Sequence, residues 1–89
     1  MSPASRIRLQ AAFDHVLLRA SDHMDAATII AELVGQHRAL FRSSGVTNSL
    51  RVACVQATCT WSKDEGLLAA WRKRAIAKLM EPDGGYGRD

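Results

Sequence analysis

Residues 50–61 read Leu-Arg-Val-Ala-Cys-Val-Gln-Ala-Thr-Cys-Thr-Trp, and their periodicity decides the fold class. On a helical wheel Leu50, Ala57 and Trp61 fall on one side, and Val52, Val55 and Cys59 on another. As a strand the stretch alternates, with Ala53, Val55, Ala57, Cys59 and Trp61 on one face, and its Val, Thr and Cys residues favour extended backbone. A lone strand has no partner in an otherwise helical chain unless a second copy supplies one. The helical reading is therefore preferred, with Thr47 and Asn48 as caps.

The flanking segments are helical by pattern. Ser2-Pro3 offers an N-cap followed by proline at the first helical position. Leu9, Phe13, Val16, Leu17 and Ala20 then mark a helix over roughly residues 3–20. Ser21 and Asp22 are the next cap candidates, and with Asp25 suited to the positive end a second helix is expected to run to about Ser43. It gathers Ile29, Ile30, Leu33, Val34, Leu40 and Phe41 in one arc, and Gly45 serves as its left-handed stop. Ser62-Lys63-Asp64-Glu65 has the form of a capping box for a last helix that runs to about Met80 and ends at Pro82. Residues 1–82 thus predict one all-α domain, a compact bundle of about four helices, and residues 83–89 a flexible C-terminal tail.

Composition narrows the class. A chain of 89 residues leaves room for a single domain. With 47% hydrophobic residues and a net charge of only +3, it is too apolar and too weakly charged for intrinsic disorder. Apolar runs are too short to span a membrane, and Arg6, Arg8, Asp14 and Arg19 interrupt any signal-peptide core. Two cysteines are too few for a secreted disulfide scaffold, so a reducing, cytoplasmic setting is expected. The arginine- and alanine-rich style suits an accessory factor of a bacterium or a phage.

Function is read from the faces that four helices leave over. Helix one carries a second apolar stripe through Ile7 and Leu18, and the segment after Thr47 one through Val52, Val55 and Cys59. Two stripes need two partners, so these five residues are the expected protein interface, and a homodimer is the expected assembly. The leading expectation is a non-enzymatic binding or regulatory protein acting through protein–protein contacts. The alternative is nucleic-acid or anionic-nucleotide binding through the basic last helix, with Trp71, Arg72, Lys73, Arg74 and Lys78, joined by Arg8 and Arg19. Against it, cations near a helix C-terminus also complement the backbone dipole, and Trp71 would then pack inward.

Other candidates are weaker. Gly45-Val46-Thr47-Asn48-Ser49 resembles the turn of a helix-turn-helix DNA-binding motif, which would make Arg51, Gln56 and Thr58 its reading residues. Phe41 and Arg51, however, stand where that motif wants a small residue and a buried aliphatic. His37 falls within the apolar arc of the second helix and reads as a core histidine satisfied by a hydrogen bond. Cys54 and Cys59 point apart on helix or strand, and the histidines lack metal spacing, so neither a disulfide nor a metal is expected. No cofactor motif or catalytic set is present, and no enzyme is expected.

Overall fold

The computed structural model describes residues 2–62 and 64–80. Its elements are α1 (Pro3–Ser21), α2 (Ala26–Gln36), β1 (Leu40–Ser44), β2 (Thr47–Val52), β3 (Val55–Cys59) and α3 (Glu65–Leu79). The three strands form one antiparallel sheet in the order β1-β2-β3. The fold is therefore α+β, and the all-α bundle of four helices is corrected on two points. The second helix stops at Gln36, not near Ser43, and the segment 47–61 is strands β2 and β3 in place of a helix. The expected tail, 83–89, lies outside the described residues.

Two tight turns explain the sheet. Ser44 pairs with Thr47 and Val52 with Val55, so both hairpins close over two residues. The first loop residue has positive φ in each: +58° at Gly45 and +55° at Ala53. That is the type II′ pattern, whose twist matches the twist of paired strands. Gly45 does take the left-handed conformation expected of it, but it turns a hairpin and does not cap a helix.

The helices lie on one face of the sheet. α3 packs chiefly against β3, and also touches β2, α1 and α2, while α2 borders β1. The inward residues of β2 are Asn48, Leu50 and Val52, and those of β3 are Val55, Ala57 and Cys59; all are buried. They meet Leu9, Ala12 and Val16 of α1, Ile29 and Leu33 of α2, and Leu67, Trp71 and Ala75 of α3. Trp71 is fully buried and donates its indole N–H to the Val55 carbonyl (3.3 Å).

Helix ends follow their side chains. Ser2 caps α1, its hydroxyl accepting from the Ser5 amide at 3.2 Å, with Pro3 in the first turn. The Arg6 guanidinium donates to the Leu79 carbonyl and ties the start of α1 to the end of α3. Asp64, not Ser62, is the N-cap of α3, and the Ser62 hydroxyl instead accepts from the Gly66 amide at 2.9 Å. Among the described residues no helix is long and apolar enough to cross a membrane.

Candidate nucleic-acid interface on the open sheet face

With the three helices on one side, the other side of the sheet is bare among the described residues. Strand alternation sends Leu40, Arg42 and Ser44 of β1 outward, with Thr47, Ser49 and Arg51 of β2 and Gln56 and Thr58 of β3. Register sets them in rows, Arg42–Ser49–Thr58 and Leu40–Arg51–Gln56. No Asp or Glu occurs between Glu32 and Asp64, so every charge on this face is positive.

Three shallow depressions continue the face around β3. One of about 270 Å³ is lined by Leu40, Arg42, Ser49, Arg51 and Gln56. The next, of about 300 Å³, shares Gln56 and adds Cys54, Val55, Arg74, Ala77 and Lys78. The third, of about 560 Å³, includes Thr58, Thr60, Trp61, Gly66, Ala69 and Lys73. Among the described residues five cations border this surface, no carboxylate does, and hydroxyl and amide groups lie between them. Trp61 stands at its end, 80% exposed. Gly66 is what admits it there: a Cβ on Gly66 would lie 2.7 Å from the Trp61 ring.

The structure sorts the residues singled out from sequence. Lys73 and Arg74 are exposed, and Arg72 and Lys78 half-buried. Trp71 is core, so the aromatic beside the cations is Trp61, not Trp71. Arg8 lines a different depression, with Ile7, Ala11, Gln36, His37 and Arg38, which reaches the sheet only at Ala53. Arg19 is held by Glu32 (3.0 and 3.1 Å) and Asp22 (3.5 Å) at the other end of α1. Ile7 and Leu18 are exposed, but Val52, Val55 and Cys59 are buried within the chain, under α3. The residues 45–49 form a hairpin turn, so Arg51, Gln56 and Thr58 belong to the sheet face and not to a reading helix. Cys54 sits exposed in the second turn and Cys59 faces inward, both as thiols. Among the described residues no group of three or more His, Cys, Asp or Glu side chains could hold a metal.

Glu32 and Asp25 sit away from this surface, each with its own partners. Burial pushes the Glu32 carboxyl up, but hydrogen bonds and charge from Arg19 and His15 outweigh it and hold it below the ordinary range. The Thr28 hydroxyl, donating at 2.6 Å, lowers Asp25. His37 is the C-cap of α2 and meets His15 edge-on at 5.1 Å, outside the arc where a core histidine was expected. Burial, and then the charge on His15, hold the His37 pKa below the usual imidazole value. The unfolded chain therefore takes up that proton first as pH falls, and stability declines from neutrality down through the imidazole range. Urea midpoints measured across this range should show the decline, and His37→Gln should flatten it. An unaltered profile in the variant would assign the dependence to another group.

No protein-family model matches this chain, and neither a curated protein nor a solved structure matches it significantly. Function is therefore argued from the site itself.

Proposed function

We propose that the chain is a non-enzymatic nucleic-acid-binding protein that lays a strand across the outer sheet face and stacks a base on Trp61. The observation that carries this reading is the surface from Arg42 through Arg51 to Arg74, Lys78 and Lys73, which among the described residues has cations, hydroxyls and an exposed tryptophan but no carboxylate. Arginine and lysine meet phosphates, Ser49, Thr58 and Gln56 donate to their oxygens, and an exposed indole supplies a face for any base. The exposed Trp61 ring stacks on a base that is not already stacked in a duplex, which favours a single strand. Two cysteine thiols agree with a cytoplasmic setting. A protein-binding role keeps one observation in its favour: Ile7 and Leu18 are 70% and 62% exposed on α1.

The test is fluorescence anisotropy with a labelled, mixed-sequence single strand at low and at physiological salt. Binding should weaken steeply with salt. Arg51→Gln and Arg74→Gln should each weaken it for all sequences and reduce the salt slope by about one. Trp61→Ala should cost about 1–3 kcal/mol of affinity, the worth of one stacked base. Arg8→Gln, off the face, should bind like the parent. No binding at low salt, or equal losses for Arg8→Gln and Arg51→Gln, would refute the assignment.

A further inference from the structure

We propose that β1 is completed by a second copy of this chain, through antiparallel β1–β1 pairing about a two-fold axis at Phe41. This inference does not depend on nucleic-acid binding.

β1 is an edge strand, and all five of its residues are exposed. In a two-residue hairpin the residues flanking the loop exchange hydrogen bonds. Ser44, Arg42 and Leu40 therefore turn their backbone groups toward β2, and Phe41 and Ser43 turn theirs toward the open edge. Natural sheets protect such edges with proline, bulges or inward charges. β1 has no proline, its pairing with β2 runs unbroken over five residues, and its one charge, Arg42, faces the outer side.

Beneath the edge runs an apolar groove of about 440 Å³, lined by Ala27, Ile30, Ala31, Val34 and Phe41, with Ser43 and Asp64 at one end. Val34 is 45% exposed and Phe41 38%. The groove has one helical wall, α2. A two-fold axis through the edge supplies the other wall as the second copy's α2, and Ala27 and Ala31 are small enough for two helices to approach.

Pleating restricts the register, because residues placed opposite must share a face. An axis at Arg42 would set two like charges against each other, which destabilises a pair. An axis at Ser43 would place Phe41 opposite Gly45. An axis at Phe41 pairs the two phenyl rings, places Leu40 opposite Arg42, and brings Ser44 opposite residue 38. Charge then selects the second copy over an unrelated strand. Arg38 stands at the entry to β1, and Asp64 flanks the groove beside Ser43 at the other end. Antiparallel self-pairing sets each copy's residue 38 opposite the other's Ser44, one residue beyond Ser43 and the Asp64 beside it, so opposite charges approach twice over. The product is a six-stranded sheet with both basic faces on the same side.

Sedimentation equilibrium should give twice the 9.7 kDa chain mass. Phe41→Glu and Val34→Glu, both at partly exposed positions, should each return the single-chain mass with an unchanged far-UV circular dichroism spectrum. Opposed hydrogen-bonded residues have Cα atoms about 5.5 Å apart, within disulfide reach. Phe41→Cys should therefore cross-link to itself on mild oxidation, well beyond the parent chain, and Ser43→Cys should do so far less. A single-chain mass at all concentrations would overturn the proposal, even if an added peptide strand bound the groove. So would open-ended assembly, a dimer that survives Phe41→Glu, or preferential cross-linking at Ser43→Cys.

Discussion

Replacing Trp71 with alanine is expected to cost about 3–5 kcal/mol, the range for emptying a large buried aromatic site. The indole has no exposed surface and sits where α3 crosses the hairpin of β2 and β3, in the same core as Leu50, Val55 and Leu67. Two losses combine in the variant. The cavity forfeits contacts on every side, and the Val55 carbonyl, at the mouth of the second turn, loses its 3.3 Å donor. Domains of this size are stable by only about 5–15 kcal/mol, so the variant should be largely unfolded in mild urea. Trp71→Phe separates the terms, since it keeps most of the volume but not the N–H, and should lose clearly less. Chemical denaturation of the three proteins measures both. A loss below about 1 kcal/mol for Trp71→Ala, within the range of surface substitutions, would mean that α3 does not hold the hairpin as described.

Asn48→Ala is expected to destabilise by about 2–3 kcal/mol, through stranded partners and not through lost volume. Among the described residues Asn48 is the one buried polar side chain, 8% exposed. Its carbonyl accepts from the Ser43 hydroxyl at 2.6 Å, and its amide donates to the carbonyls of Cys59 (3.1 Å) and Ser62 (3.4 Å). One side chain thereby joins β1, the end of β3 and the approach to α3. Removing it leaves a hydroxyl and two carbonyls without that partner. Asn48→Asp keeps the shape but turns an acceptor toward two carbonyl oxygens, and it should be worse than alanine at neutral pH. Urea midpoints decide this. Should both variants match the parent, the network would carry no stability.

Why the hairpins were misread from sequence is a matter of arithmetic. Across a two-residue turn, the inward pairs Val52/Val55, Leu50/Ala57 and Asn48/Cys59 are three, seven and eleven residues apart. Those intervals also recur on one face of an α-helix. The turn itself, Ala53-Cys54, lacks the glycine that marks such loops, so nothing local broke the helical pattern. It also shifts the alternation from even to odd positions, which defeats a reading as one long strand. α1 and α3 were legible because a cap, a proline and a long amphipathic stretch agree over several turns. The body of α2 was legible too, but its ends were not: Ser21 and Asp22 close α1 while Asp25 caps α2, and Leu40 and Phe41 extend its apolar arc while belonging to β1. The site suffered in turn. Lys73, Arg74 and Lys78 were visible as a basic helix, but Arg42 and Arg51 join them only once the sheet exists. Trp61 looked like core for as long as residues 50–61 were a helix.

Among the described residues the carboxylates are sorted by layer, while cations occur on both. The described carboxylates are Asp14, Asp22, Asp25 and Glu32 on α1 and α2, with Asp64 and Glu65 at the start of α3, and none lies on the bare side of the sheet. Such a division gives the chain an electric moment across its thickness. Near a polyanion the resulting torque turns the sheet side forward before any atoms touch, and a collision with the helical side is steered away. Fewer encounters are then wasted on the wrong orientation, and capture approaches the rate at which diffusion delivers the two molecules. The bare side of the sheet would thus govern how fast a nucleic acid is found, apart from how firmly it is held.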